Sequence, residues 1–453
     1  MLSPSDRIGN CCGRPSPGQV LSHRLSPGAP MSMLGVLRGP QQVLFGAGQR
    51  HALGTVTASL GSRALVCTDA RFGATSEFED LVRLLENAGV QVTVFAEVLP
   101  DVPVHQVTQC AELASGADPD VVVGMGGGSC LDLAKAVAVL LTHGGQPADY
   151  YGEFRVPGPI VPVVALPTTA GTGSEVTPVA VLTDPARVSK VGISSPHLIP
   201  HAAICDPELT VGCPPALTAS AGADALSHVI EAFTAIRRPV AAELATERVF
   251  VGKNELTDTF ALLGVRLIAG SLRRAWSTPS DPAAREAMML GATAGGFALG
   301  TAGTAAAHAI QYPVGALTHT PHGIGVGALL PYVMEFNRPT RVPEMAVIAL
   351  AMGATPGASP EDLADEAIDR VAALLSSVGV PATLADLGLP HDQLRWTAEQ
   401  ALGAERLVAN NPRTLDVDAL EHIVRAAHAG DRAALRDTSA ATTSVLAAGA
   451  DAR

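Results

Sequence analysis

Lysine is nearly absent. Of the 30 basic residues, only Lys135, Lys190 and Lys253 are lysine. The bias toward Ala, Gly, Pro and Arg accounts for that scarcity at the level of base composition. A lysine that persists against it is a candidate for a place that needs a compact amine rather than a forked guanidinium. Cysteine is present but unpaired in pattern: Cys11, Cys12, Cys67, Cys110, Cys130, Cys205 and Cys213 form no CxxC, and their number is odd. That excludes a disulfide framework and a thiolate zinc site, and fits a reducing, cytoplasmic setting. Positive charge is also short, with 43 acidic residues setting a net charge of −13. Such a balance argues against nucleic acid or an anionic membrane as partner.

Long apolar runs are lacking too, with one case to settle. Met288 to Ala307 carries no charge and is long enough to span a bilayer. It is rich in Gly, Ala and Thr, stands alone and runs straight into His308, so it reads as buried helix in a helical domain. Residues 1–32 are rich in Ser, Pro, Gly and Arg, with no apolar stretch to serve as a secretory core. An extension upstream of a start at Met31 or Met33 is favoured over a transit-like segment, and either way it lies outside the fold.

What remains suits a soluble globular enzyme: 453 residues, 47% hydrophobic and 16% charged, enough for about two or three domains. From Val36 to Asp206, short β-rich runs alternate with helical periods. Strands are expected at Ala64–Cys67, Val90–Phe95, Val121–Val123 and Ile160–Leu166, and helices at Glu79–Ala88, Val104–Ser115 and from Ser129 to Leu141. This pattern predicts a parallel sheet covered on both faces. After Cys213 the strand signal vanishes. Helices are expected over Ala216–Ala235, Asp258–Arg274, Pro282–Ala298, the His308 region, Arg341–Met352, Pro360–Ser377 and Leu415–Ala429. The predicted organisation is an α/β domain over 33–212 and an all-helical domain over 213–445.

Gly126-Gly127-Gly128-Ser129 follows a strand and opens a helix. Glycines there let backbone approach a pyrophosphate, and the helix N-terminus supplies donors. The fit to a dinucleotide fingerprint is imperfect, because Ser129 stands where a third glycine belongs. Asp132 and Lys135 lie on the first turns of that helix. An amine there opposes the helix dipole unless an anion is near, which points to an acidic ligand or to Asp132 itself. Thr168-Thr169 opens a hydroxyl-rich loop through Glu175 at the end of another strand, where open α/β sheets place ligands. Asp69, just past the strand ending at Cys67, is equally a ribose acceptor or a helix cap. As a ribose contact it would repel a 2′-phosphate and favour NAD over NADP.

Asp224 and His228 are four residues apart in a helical stretch, so both lie on one face. The surroundings are apolar, where an unpaired carboxylate is costly. His308 ends an apolar run, and His322 sits in a turn-like Thr320-Pro-His-Gly323. Each histidine alone has an ordinary structural reading. Together, three imidazoles and a carboxylate suit Fe²⁺ or Zn²⁺ better than Mg²⁺ or Ca²⁺.

These segments carry a resemblance. Gly126 to Lys135 (GGGSCLDLAK), Pro167 to Glu175 (PTTAGTGSE), Asp224-Ala-Leu-Ser-His228, Thr320-Pro-His-Gly323 and Leu330 to Asn337 (LPYVMEFN) resemble, in order, the iron-containing (group III) alcohol dehydrogenases. The likeness runs from about Val36 to about Ala429. It implies an N-terminal dinucleotide-binding α/β domain, a helical C-terminal domain and a metal with the active site in the cleft between them. Asp224, His228, His308 and His322 then match the metal ligands. Asp69 matches the residue near the adenosine ribose, Gly127, Gly128 and Ser129 the pyrophosphate loop, and Thr168, Thr169, Val179 and Lys190 other cofactor contacts, with Gly126 and Asp132 beside them. The implied activity is NAD-linked, Fe²⁺-dependent (alternatively Zn²⁺-dependent) interconversion of a small alcohol and its aldehyde, in a homo-oligomer such as a dimer. One position departs. Many members carry a second histidine four residues after the ligand at His308, and here it is Tyr312. That tyrosine is the candidate proton relay, and with Asp132 it completes the candidate catalytic groups. Tyr312 also resembles the hydroxyacid-oxoacid transhydrogenase branch. A maleylacetate reductase-like reaction on an acidic substrate is a further alternative, with Lys253 and Arg237 or Arg238 as candidate carboxylate partners. A metal-dependent cyclase of the dehydroquinate synthase kind is a third.

Overall fold

The structure, a computed structural model, describes residues 35–187 and 190–436. The expected N-terminal extension and the Ala-rich tail lie outside the described residues. Apolar, β-branched runs build the first half. Six parallel strands, β1 (Gln42–Phe45), β2 (Arg63–Cys67), β3 (Gln91–Phe95), β4 (Val121–Gly126), β6 (Val163–Pro167) and β9 (Ala202–Cys205), form one sheet in the order β1-β9-β6-β4-β2-β3. β4 and β6 are buried along their whole length, as central parallel strands covered on both faces must be. A smaller sheet joins β5 (Gly152–Glu153), β7 (Val179–Leu182) and β8 (Val191–Ser194).

The strand order places the ligand crevice. From β2 the chain steps outward to the edge strand β3, then returns past β2 to β4 on its other side. The crossovers therefore diverge between β2 and β4. In open α/β sheets, ligands bind outside the carboxyl ends of the strands at such a switch point. Asp69 follows β2 and the glycine run follows β4, so both stand at its mouth.

After β9 only helices remain among the described residues: α1 (Pro215–Thr234), α2 (Glu255–Ser277), α3 (Pro282–Ala302), α4 (Ala306–Thr318), α5 (His322–Ala351) and α6 (Pro360–Ser377), then shorter ones to Ala429. Gly- and Ala-rich faces let α1, α2 and α3 pack closely around Leu226, Val229, Val265, Ile268 and Met288. The uncharged Met288–Ala307 run falls mostly in α3, which is buried for most of its length. Among the described residues no helix is long and apolar enough to cross a membrane. α5 contains Pro331, Pro339 and Pro343, and Arg341 inside it has non-helical angles (φ −138°, ψ 23°). Proline removes a backbone donor and clashes with the preceding turn, so the kink has a local cause. The helix expected to begin at Arg341 is thus the second arm of this bent element.

Candidate metal centre and nucleotide cleft

A cavity of about 590 Å³ separates the two halves. On one wall lie Asp69, Gly127, Gly128, Ser129, Asp132, Thr169, Val179 and Lys190; on the other lie Asp224, His228, His308, Tyr312 and His322. Two predicted cofactor contacts fall outside this lining. Gly126 shapes the turn instead: its φ is +152°, and a side chain there would meet Cys130 Sγ at 2.4 Å. Thr168 is buried, its amide donating to the Gly126 carbonyl at 2.9 Å. Its hydroxyl is buried, with no hydrogen-bond partner among the described residues.

The two readings of Asp69 coexist. Its Oδ1 caps the short helix Ala70–Gly73 by accepting from the Phe72 amide at 2.9 Å, and the residue still lines the cavity. Asp132 and Lys135 are braces for the cleft wall. Asp132 accepts from Ser174 Oγ at 2.5 Å and from the Val181 amide at 2.9 Å. Lys135 is fully buried and donates to Ser174 Oγ, to the Thr177 carbonyl and hydroxyl, and to the Val179 carbonyl at 2.8–3.1 Å. The expected anion is present but more distant, with Asp132 at 4.0 Å. Burial lowers the Lys135 pKa to about 8, against the pull of Asp132 and Glu175.

The opposite wall converges on one oxygen. Asp224 Oδ1 lies 3.6 Å from His228 Nε2, 3.7 Å from His308 Nε2 and 3.6 Å from His322 Nε2. Asp224 and His228 come from α1, His308 from the first turn of α4, and His322 is the first residue of α5. The turn-like setting expected for His322 is corrected here: Pro321 precedes the helix and His322 begins it. Ligand atoms of Asp224, His308 and His322 lie within 4.8 Å of one another; His228 is not in that tighter group, though its Nε2 is 3.6 Å from Asp224 Oδ1. Donors in a tetrahedral shell at ~2.1 Å from a metal lie about 3.4 Å apart, close to these spacings.

Hydrogen bonding makes the same point. Asp224 Oδ1 and His308 Nε2 are buried without a hydrogen-bond partner among the described residues, a costly state for polar atoms unless a ligand pairs them. The His308 ring is held from behind by Glu231, a residue the sequence reading passed over. Glu231 Oε2 is 2.5 Å from His308 Nδ1, and its carboxylate also accepts the Ala305 and Ala307 amides. Glu231 lies seven residues after Asp224 on the same helix face, so its signal was available. Burial disfavours the His308 imidazolium, but Glu231 and Asp224 outweigh it and hold its pKa up at about 9. Burial, with Lys190 nearby, pushes His322 down to about 3. Burial also opposes ionisation of Asp224, yet the three histidines hold its carboxyl well below the usual range.

Tyr312 stacks beside His322, with ring centroids 6.3 Å apart. Burial raises its pKa, only partly offset by Arg406. Its hydroxyl therefore stays protonated near neutrality. The cations suggested for an acidic substrate are elsewhere and already paired: Lys253 with Asp258 at 2.7 Å and Arg237 with Glu255 at 2.8 Å. Neither they nor Arg238 line the cavity.

This architecture is that of a two-domain metal-dependent oxidoreductase. Residues 40–207 match the family model described as iron-containing alcohol dehydrogenase, and residues 218–428 match the Fe-containing alcohol dehydrogenase family C-terminal model. The chain is 35% identical over 370 residues to long-chain-alcohol dehydrogenase 1 of Geobacillus thermodenitrificans, covering 81% of this chain and 89% of that protein. It is 33% identical over 388 residues to the NAD-dependent methanol dehydrogenase of Bacillus methanolicus, covering 85% and 98%. The crystal structure of a 1,3-propanediol oxidoreductase superposes with a TM-score of 0.81 at 32% identity, covering 87% of this chain and all of that one. The chain belongs to the iron-containing alcohol dehydrogenase family and is an oxidoreductase of that type.

Proposed function

We propose that this protein is an NAD-linked alcohol dehydrogenase and aldehyde reductase, with Asp224, His228, His308 and His322 holding one Fe²⁺ or Zn²⁺. The observation that carries this is the convergence of three imidazole Nε2 atoms on Asp224 Oδ1, across a cavity from a glycine-rich helix start. The net reaction is alcohol and NAD⁺ to aldehyde, NADH and a proton. A divalent metal held by these four residues supplies Lewis acidity, lowering the pKa of a hydroxyl and polarising a carbonyl.

The chain's own groups position and shield. Gly127, Gly128 and Ser129, at the N-terminus of the helix Gly128–His143, offer backbone donors to a pyrophosphate. Asp69 offers a carboxylate to a ribose and disfavours a 2′-phosphate, which supports NAD over NADP. Thr169, Val179 and Lys190 line the path toward the histidines. Glu231 fixes His308 in the tautomer that leaves Nε2 free. Tyr312, protonated and beside His322, is the candidate group to hand a proton to a substrate oxygen in the reduction; in the oxidation it takes one only by passing on its own.

Anaerobic reconstitution with Fe²⁺ or Zn²⁺, followed by NADH oxidation over a panel of aldehydes, tests the reading. Metal-loaded protein is expected to oxidise NADH with at least one aldehyde, and His308→Ala or His322→Ala to lose both metal and turnover. Full turnover in a metal-free variant would sink it.

A further inference from the structure

Arg406 is a cation that the function proposed above does not use. It stands on the four-residue helix Glu405–Val408 and lines the cavity next to Phe250, Leu299, Thr304 and Tyr312. Its Cζ lies 4.1 Å from the centre of the Phe250 ring. Among the described residues no carboxylate pairs with it: the charges it senses are Tyr312, Glu153 and Glu231. The two acids are already engaged. Glu153 accepts the Val249 and Phe250 amides, and Glu231 holds His308.

Arg406 is half-buried, with its guanidinium facing the cavity and no ion pair to hold it there; a dinucleotide and substrate filling that cavity would take it out of water, which is costly for a guanidinium without an anion. Stacking on an aromatic face offsets part of that cost and leaves the planar fork free. The fork matches a carboxylate through two parallel hydrogen bonds. Arg406 also lies on the wall of His308, Tyr312 and His322, away from the glycine run that faces a pyrophosphate. The other cationic side chains of the lining are Lys190, occupied by Asp101, and Arg71, which follows Asp69 on the nucleotide side of the cleft. An anion paired with Arg406 therefore arrives with the substrate.

We propose that Arg406 is a specificity-determining residue that pairs with a carboxylate on the substrate, so that the preferred substrates are small oxo acids bearing an aldehyde and their hydroxy-acid counterparts. This rests on the alcohol dehydrogenase reading above and narrows its substrate class. The reaction balances as ⁻OOC–R–CHO + NADH + H⁺ → ⁻OOC–R–CH₂OH + NAD⁺. One hydride and one proton add across the C=O bond, NADH is oxidised, and the carboxylate is unchanged.

The test uses full-length, metal-loaded protein with glyoxylate, 3-oxopropanoate and succinic semialdehyde, each set against the neutral aldehyde of the same length. Wild type is expected to favour at least one oxo acid by tenfold or more in kcat/KM. Arg406→Gln is expected to bring that ratio down to about one, through a loss in kcat/KM for the oxo acid with the neutral aldehyde little changed. Arg406→Lys, with charge but no fork, restores only part of it. Succinate is expected to compete with butanal in wild type, a readout that does not depend on the variants folding. If butanal is reduced but no oxo acid is preferred and succinate does not compete, the role of Arg406 is refuted and the dehydrogenase reading stands. If no aldehyde of either kind is reduced, both fall.

Discussion

Glu231 Oε2 sits 2.5 Å from His308 Nδ1, and the same carboxylate takes the Ala305 and Ala307 amides at the start of the helix that carries His308. One buried acid thus fixes both the ring and the backbone beneath it. Glu231→Gln keeps the size and most of the hydrogen bonding but removes the charge that raises imidazole basicity. Metal affinity is expected to fall about 10- to 100-fold, measured by competition with a chelator, while circular dichroism stays as in wild type. Unchanged affinity would show that Glu231 only caps the helix.

Loading the metal should release a proton. His308 in the metal-free chain is held up at about 9, so at pH 7.5 it is charged, and coordination through Nε2 requires it neutral. His322, at about 3, is already neutral. Calorimetric titration of Zn²⁺ in two buffers of different ionisation enthalpy is expected to report about one proton released per ion at pH 7.5, diminishing above pH 9. The same raised pKa stabilises the metal-free fold. That contribution is fully present below the unfolded value of 6.5 and is lost as pH rises through about 9. Zero proton release at pH 7.5 would contradict this account.

Lys135 ties the helix after the glycine run to the Ser174–Thr177 turn and to β7. Lys135→Met removes these bonds and leaves Asp132 and Glu175 uncompensated, a loss of about 3 kcal/mol by analogy with other broken buried pairs. Its pH dependence has a definite sign. The folded pKa is about 8 against 10.5 for a free lysine, so between those values the unfolded chain binds more protons and the lysine's contribution to stability rises with pH. Denaturant unfolding of wild type and Lys135→Met at pH 7.5 and 9.5 should therefore show a gap that widens at the higher pH. A gap that narrows would mean that the amine is stabilised as a cation.

Legibility in the sequence followed local signal strength. Pro360–Ser377 was predicted to the residue, because Ser359 caps it, Pro360 suits the first position and Leu363, Ala367, Val371 and Leu375 repeat at helical spacing. Val104–Ser115 was likewise predicted to the residue. Four-residue strands such as Gln42–Phe45 and Ala202–Cys205 carry too little pattern, and their identity comes from pairing across the sheet. Asp224, His228, His308 and His322 were picked out by type, spacing and motif, but only the tertiary fold brings Asp224 Oδ1 within reach of all three rings. Arg406 had no signal at all: a four-residue helix has no periodicity, and its meaning lies in meeting Phe250 some 150 residues away. Lys253 and Arg237 carried the opposite error, since their acidic partners also became neighbours only on folding.

The placement of His322 depends on a residue without a side chain. A Cβ on Gly323 would stand 2.0 Å from the Ser220 carbonyl oxygen and 2.9 Å from Asp224 Cβ, so the start of α5 rests directly on α1. Gly323→Ala must push the two helices apart, and the shift falls between His322 on one and Asp224 on the other. Overpacking of this kind costs about 1–3 kcal/mol. Alanine's better helix propensity, worth ~1 kcal/mol over glycine, offsets only part. The expected result is a lower midpoint in urea together with weaker Zn²⁺ or Fe²⁺ binding. Strain confined to the helix contact would lower the midpoint and leave metal affinity intact. That outcome would show that His322 does not depend on this close approach for its reach to Asp224.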